Sequence, residues 1–404
     1  MFDIKGKFTN AKVMIDNIDE NCMAQIVEMI NNEAFTNPVA IMPDCHSGKG
    51  SVVGFTMPVG EKIIANVVGV DIGCGMLSFN IGKINIDHVE FDRKVREKIP
   101  FGINVNDKSK VRLMDSVKEV CDRIGMDFDY AVKSIGSLGG GNHFIEIGKS
   151  ANTGDIWITI HTGSRNFGKK ICEYWQNIAS MKDVPDVKEE LKKIKASYPK
   201  NEWDRRIKDF KIQVNNVKKS PLDYLEGKNK AGYLKDMKVA QEYSKLNRQV
   251  IMLDILNILD VLYVDCIETI HNYIDFNDAI MRKGAIRSYV GERMIIPFNM
   301  RDGILICEGK SNPEWNYSAP HGAGRVYSRS RAKAELNMDK FEKDMEGIFS
   351  TSVCQGTIDE CPDAYKDAKV IEACIEPTAT ILDRIIPIHN MKSVDTVCWK
   401  KKMM

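Results

Sequence analysis

The chain has 404 residues, a formal net charge of +1, 43% hydrophobic and 28% charged residues; it can bury a large core, and this balance excludes global disorder and any whole-molecule field that would hold a polyanion, leaving only local basic patches for a nucleic-acid partner. Eleven cysteines, an odd number with no C-x-x-C pair, fit reduced thiols in the cytoplasm and exclude a disulfide framework or a zinc ribbon. Neither a signal peptide nor an apolar run of membrane-spanning length is visible, so no membrane partner is expected.

No internal repeat, low-complexity tract or linker interrupts the sequence, which predicts one domain over 1–404. Val39 to Pro43, Ser51 to Phe55 and Ile63 to Val70 read as strands separated by tight turns. Between the first two, Pro43-Asp44-Cys45-His46 and Ser47-Gly48-Lys49-Gly50 put an acid, a histidine and a lysine in a glycine loop. The loop lacks the Walker spacing, so it backs a site or touches a nucleic acid and is not a P-loop. The third run ends at Asp71, three residues before Cys74, where Gly73 and Gly75 let carboxylate and thiolate turn toward one ion. A bridging thiolate would serve two ions. A buried cysteine filling an apolar gap, with Asp71 closing its own turn, accounts for the same residues.

Gly139-Gly140-Gly141 permits close backbone approach to a phosphate or purine, and strand alternation after it puts Asn142 and Glu146 on one side and His143 on the other. In Ile156 to His161 the isoleucines share one face, and Trp157, Thr159 and His161 the other. His161 thus heads His161-Thr162-Gly163-Ser164-Arg165, a possible ligand followed by hydroxyls and a guanidinium suited to phosphate. From about 184 to 236 the composition turns Lys-, Glu- and Asp-rich with prolines as breaks, which predicts a helical surface insertion. Val239, Tyr243, Leu246, Val250, Leu253 and Leu256 then recur at helical spacing and predict a long helix packed on the core, leading toward His271, whose local setting also suits a structural histidine. Finally, His321 is followed by Gly322-Ala323-Gly324-Arg325, small residues that bare the imidazole and backbone amides beside a cation. That arrangement suits a nucleophilic histidine attacking a nucleotide phosphate; a glycine turn before a capped helix near Ser328 is the plainer alternative. Four of the 7 histidines lie in these segments.

Taken in order, these blocks resemble the RtcB family of RNA ligases. The likeness runs from Met42-Pro43-Asp44 through Asp71-Ile72-Gly73-Cys74-Gly75-Met76, Gly141 to Glu146, His161 to Arg165, His271-Asn272-Tyr273, Arg282-Lys283-Gly284-Ala285 and His321 to Arg325, and ends at Lys392. It implies an α+β fold of mixed β-sheets with flanking helices, and an enzyme that joins an RNA 3′-phosphate or 2′,3′-cyclic phosphate end to a 5′-hydroxyl end using GTP and two manganese ions. By this resemblance Cys74, His161 and His271 hold one ion and Asp71, Cys74 and His143 the other. His321 carries GMP, and Asn142, His143, Phe144, Ile145, Glu146, His271, Asn272, Pro297, Asn299, Met300, Gly322, Ala323, Gly324 and Lys392 surround the nucleotide. The implied partners are RNA ends and GTP, with a monomeric state expected and room for an accessory activator protein.

The chain departs from the family pattern at Phe298 to Gly303, where many members carry a Ser-Met-Gly-Thr loop, at Tyr317 to Pro320, where they have Ser-Cys-Ser, and in extending 12 residues past Lys392. Within the changed loop Arg301 either adds a forked phosphate contact or pairs on the surface with Asp302 or Glu308. Two other functions fit the motifs less fully: a guanylyltransferase that caps RNA 3′-phosphates without sealing, and a non-catalytic RNA-end binding protein.

Overall fold

Runs rich in valine, isoleucine and threonine form fifteen strands in this computed structural model, which describes residues 1–181, 187–215 and 219–394. They are β1 (Phe2–Lys5), β2 (Asn10–Val13), β3 (Val39–His46), β4 (Val53–Pro58), β5 (Gly75–Asn80), β6 (Phe144–Ser150), β7 (Ile156–Thr162), β8 (Asp265–Ile270), β9 (Asn272–Asp275), β10 (Ile280–Lys283), β11 (Ala285–Arg287), β12 (Arg293–Pro297), β13 (Ile304–Gly309), β14 (Ser318–Pro320) and β15 (Ala379–Lys392). One mixed sheet has the order β1-β2-β3-β4-β10-β9, a second, antiparallel throughout, runs β12-β13-β15-β6-β7-β5-β8, and β11 pairs with β14. The fold is α+β.

The seven-stranded sheet curls on itself. Each of its strands contributes to one apolar cluster, Met76, Phe144, Trp157, Ile267, Ile295, Ile304, Ile306 and Ile385, on the concave face, and Arg293 of β12 reaches Asp265 of β8 across the two edges at 2.6 and 2.8 Å. The convex face carries Leu77, Phe79, Ile145, Ile147, Ile156, Ile158 and Ile160 against Ile251 and Ile255 of the helix Gly227–Leu259. Alternation along β7 therefore falls as the sequence predicts, and it aims Thr159 and His161 into the concavity.

The long helix joins two cores. Its first half buries Tyr233, Met237, Ala240 and Tyr243 in the core beneath the mixed sheet, and its second half buries Ile251, Met252, Ile255 and Leu256 under the curled sheet. Between them lies a buried polar turn, Ser244, Asn247 and Arg248, each 0% exposed.

Three expectations need correction. Ile63 to Val70 is not a strand: Ala65–Val68 forms one helical turn, because a wholly apolar run carries no period that separates strand from buried helix. Leu253, expected on the packed face of the long helix, is 54% exposed. It lies beyond the arc that Ile251 and Ile255 occupy. The stretch 184–236 holds the helices Val187–Ser197 and Trp203–Asn215, but from Gly227 it is already the long helix, with Tyr233 and Asp236 buried; residues 184–186 and 216–218 lie outside the described residues, as do 395–404 of the C-terminal extension.

These placements predict that Ile255→Ala destabilises the protein by about 2–5 kcal/mol, the cost of a buried cavity, while Leu253→Ser stays within about 0.5 kcal/mol of wild type. Chemical denaturation of the two variants side by side measures the difference.

Candidate active site and metal centre

Three turns and two strand ends bring five electron-pair donors together. Cys74 Sγ lies 3.3 Å from His161 Nε2 and 3.6 Å from His143 Nε2, His161 Nε2 is 3.3 Å from His271 Nε2, and His143 Nε2 is 3.0 Å from Asp71 Oδ2. His143, His161, His271 and Cys74 are all buried. His143 Nδ1 donates to the Leu138 carbonyl at 2.9 Å and His161 Nδ1 to the Asn142 carbonyl at 3.2 Å. A carbonyl can only accept, so each ring keeps its proton on Nδ1 and turns the Nε2 lone pair inward. Asp71 Oδ1 in turn accepts from the Ser164 amide at 3.1 Å.

Two glycines make this approach possible. A Cβ on Gly163 would run into the Asp71 carboxylate, and one on Gly139, whose φ is +94°, would strike His143 Nδ1 and the Arg165 guanidinium.

Electrostatics agree with a cation site. Burial, with neighbouring imidazoles, keeps His161 and His271 well below their ordinary range and hence neutral. Burial and the Asp71 charge push the Cys74 thiol well above its range. For Asp71 burial opposes ionisation, but the bonds and charges of its neighbours, His143 first, hold it below the usual carboxylate value. Imidazole nitrogens, a cysteine sulfur and a carboxylate converging at hydrogen-bond distances are a donor set that a divalent ion satisfies, with the Cys74 proton displaced on binding. The residues present therefore fit the two metal ions that the family resemblance implies.

His321 follows β14 and faces the same concavity, its ring centroid 4.8 Å from that of His271. Its Nδ1 donates to Asp44 Oδ2 at 2.6 Å, and its backbone amide donates to the same oxygen at 3.2 Å. Asp44 is fully buried. The pair fixes the tautomer that leaves Nε2 of His321 as a free nucleophilic lone pair, the orienting role that a carboxylate plays toward a catalytic imidazole. The Asp44 carbonyl also accepts from His46 Nδ1 at 3.0 Å, and burial holds that imidazole near about 4.

The cleft above is lined by Asn142, Phe144, Glu146, Pro297, Asn299, Met300, His321, Gly322, Ala323, Gly324, Asn390 and Lys392. On its inner wall Glu146 Oε2 accepts from Asn390 Nδ2 at 2.8 Å, while Glu146 Oε1 and Asn390 Oδ1 are buried without a partner among the described residues. Burial raises the Glu146 carboxyl to about 8, against the opposing pull of Asn390 and Lys392. Lys392 Nζ meets Glu360 Oε2 at 3.0 Å and the Asn142 carbonyl at 3.4 Å. Burial alone would raise Glu360, but the charges of Lys392, Arg329 and Arg325 override it and bring it to about 2.

Other expected residues sit elsewhere. Ile145 points into the core on the convex face, as alternation requires. Asn272 lies behind the metal turn, with its carbonyl accepting from Gly73 N at 2.7 Å and its side chain from Gly284 N at 3.1 Å. Arg165 is tied to Ser137 Oγ and the Gly102 carbonyl and does not line the cleft. Arg325, expected to hold an anion, does line the cleft, but its guanidinium is engaged by the Tyr327 and Asp359 carbonyls and by Glu360. Arg301 pairs with Asp302 at 2.8 Å and with Asp344 at 3.3 Å and lines a neighbouring cavity, so of its two alternatives this structure has the surface pairing, with Asp344 in the place expected of Glu308. Within that loop Asn299 is occupied too: its Oδ1 accepts from the Arg301 and Asp302 amides and its Nδ2 donates to Asp302. Sequence reasoning missed Asn390, Glu360 and Arg329, and had Asp44 only as a residue behind the site. For Asp44 the signal was its place in a strand running into a glycine loop; the other three carry no local signal.

Fold and site together define a cysteine, imidazole and carboxylate cluster at the floor of a cleft with an oriented histidine at its mouth. The chain belongs to the family described as tRNA-splicing ligase RtcB, which it matches over residues 25–129 and 123–393. It is 27% identical to the RNA-splicing ligase RtcB of Escherichia coli K12 over 395 residues, 88% of this chain and 90% of that protein. With the tRNA-splicing ligase RtcB of Methanococcus maripaludis it shares 24% identity over 470 aligned positions, 92% of this chain and 91% of the other.

The Glu146 carboxyl supplies a pH-dependent prediction. Its folded value of about 8 lies above the unfolded value of roughly 4.3, so between these the folded state holds a proton that the unfolded state has lost. Stability then falls as pH rises through this window, by at most about 1.4 kcal/mol per unit. Glu146→Gln removes that slope. Thermal denaturation of both proteins from pH 5 to about 8 should show the wild type losing ground to the variant; parallel curves would mean that Glu146 ionises at an ordinary pH.

Proposed function

We propose that the protein is an RNA ligase that uses GTP and manganese ions to join an RNA 3′-phosphate or 2′,3′-cyclic phosphate end to a 5′-hydroxyl end, with His321 carrying GMP. The observation that carries this reading is the Asp44–His321 pair opening onto the same cleft as the five-donor cluster. Names of the relatives, which specify RNA- and tRNA-splicing ligases, support the substrate class.

In this reading Asp71, Cys74 and His143 hold one ion, and Cys74, His161 and His271 the other. Bound there, the ions neutralise phosphate charge and act as Lewis acids. The choice of manganese follows the family, since this donor set also accepts zinc. His321 Nε2 attacks the α-phosphorus of GTP, a phosphoramidate bond forms, and pyrophosphate leaves. Asp44 holds the Nδ1 proton throughout and stabilises the positive charge that develops on the ring. An oxygen of the RNA 3′-phosphate then takes GMP from His321, giving an RNA end joined to GMP through a pyrophosphate bond. The 5′-hydroxyl attacks that end and displaces GMP, and the phosphodiester closes; a cyclic end is first opened by water.

The inner wall favours guanine. Unpartnered Asn390 Oδ1, and Glu146 Oε1 once that carboxyl gives up its proton on nucleotide binding, beside the Lys392 ammonium complement an edge that carries N–H donors next to a carbonyl, whereas adenine presents an amine beside a ring acceptor.

His321→Ala should abolish the covalent GMP adduct, read by intact mass after incubation with GTP and manganese, while metal content stays at the wild-type level. An undiminished adduct in the variant overturns the assignment.

The cleft wall and the changed loop separate in a second test. Asn390→Ala should raise the GTP concentration needed for adduct formation and narrow the preference over ATP, at about 0.5–1.5 kcal/mol for one hydrogen bond. Arg301→Ala should give a curve superimposable on wild type, because its guanidinium is spent on Asp302 and Asp344. Titration of GTP and of ATP against adduct yield at fixed manganese measures both.

A further inference from the structure

One turn of the helix Gly227–Leu259 reaches every loop that carries a donor of the metal centre. Arg248 Nη1 donates to the Gly73 carbonyl at 2.8 Å, the Thr162 carbonyl at 3.0 Å and Ser244 Oγ at 3.2 Å, and its Nε donates to Glu268 Oε1 at 2.9 Å. Gly73 lies between Asp71 and Cys74, Thr162 follows His161, and Glu268 stands on β8, the strand that delivers His271. The neighbouring Asn247 covers the remaining ligand. Its Oδ1 accepts from the Gly136 and Ser137 amides at 2.8 and 3.3 Å, and its Nδ2 donates to the Ser137 and Gly163 carbonyls at 3.2 Å each. That loop ends in Leu138, whose carbonyl fixes His143.

Both residues are 0% exposed, and the turn is flanked by apolar core on either side along the helix. Burying a guanidinium is costly, and packing alone would be served by an apolar side chain of similar volume. What the guanidinium adds is geometry: two nitrogens at a fixed separation, Nη1 on the Gly73 and Thr162 carbonyls and Nε on Glu268 of β8, whereas an ammonium placed at Nη1 gives up the bond to β8.

We propose that Arg248, supported by Asn247, is a positioning residue of the metal centre, fixing the distance between the Asp71–Cys74 turn and the end of β7 so that the Cys74 sulfur is shared by both ion positions. The inference rests on the two-ion reading of the five donors and goes beyond it by assigning the element that sets their spacing.

The test uses the full chain and manganese alone as the probe. Wild type, Arg248→Met, Arg248→Lys and Tyr243→Phe are loaded with manganese, freed of excess by gel filtration and analysed for metal per chain, with a competition titration for affinity. Tyr243, on the same helix, donates to the Ala131 carbonyl and packs on Phe167, and its hydroxyl bonds none of the ligand-bearing turns among the described residues. Wild type is expected to hold two ions. Arg248→Met should lose at least one and bind the rest about 10–100-fold more weakly, the usual effect of removing a group that orients ligands. Arg248→Lys should share the defect, since it restores charge but not the fork, whereas Tyr243→Phe should lower the melting temperature and keep two ions. If Arg248→Met does not fold, the lysine variant decides: two ions held with wild-type affinity overturn the inference. A wild type that binds no manganese would instead overturn the two-ion reading itself.

Discussion

Electron-pair donors repel, and five of them meet here with spacings of 3.0–3.6 Å. The rest of the site follows from how the chain tolerates that crowding. His143 and His161, whose Nδ1 atoms are committed to carbonyls, have no freedom to relieve it by changing tautomer, and for His161 burial opposes relief by protonation. The protein thus gathers at one place an arrangement that a cation would stabilise, and it does so on elements tied to one another.

Those elements are held by two scaffolds of different kinds. The curled sheet supplies a concave wall, where alternation along β5, β6, β7 and β15 turns Met76, Phe144, Glu146, His161 and Asn390 inward while Ile145, Ile147, Ile158 and Ile160 pack outward on the long helix. The mixed sheet and the β11–β14 pair bring Asp44 and His321 to the opposite rim. Neither scaffold alone makes the site: the Asp44–His321 pair and the cluster around Cys74 come from separate sheets, and the ring contact between His271 and His321 is where they meet.

How much of this was legible in the sequence depended on the range of the interaction. The face of β7 could be read because an alternating strand reports its own orientation. The run Ile63 to Val70 could not, since uniform hydrophobicity has no phase, and the chain resolved it as a helical turn. Leu253 shows a related limit: helical spacing locates a stripe but not its width, and one residue beyond the stripe is in solvent. Motif resemblance supplied the donors and the nucleophile but not their partners. Asn390, Glu360 and Arg248 are ordinary residues in a strand, a 3-10 turn and a helix, and only tertiary packing gives them a role. The loop Asn299 to Asp302 is the opposite case. Its departure from the family pattern was visible, but that its polar groups satisfy one another was not.

The charge on the cleft wall follows the same logic of preorganisation. Glu360 is buried and ionised, and it gathers Lys392, Arg325 and Arg329, with Asp359 as a second acid beside Arg329. A buried carboxylate with one cation would gain little over its desolvation cost; three cations around it invert that balance and hold it near about 2. Since Glu146 stays protonated below about 8, it adds no negative charge, and the wall keeps a positive excess facing the cleft. An incoming polyanion therefore meets cations whose side-chain entropy has already been spent on Glu360, so what binding must still overcome is competition with a fixed carboxylate. Glu360 thus sets the electrostatics of this wall, fixing three cations in place while offsetting part of their charge.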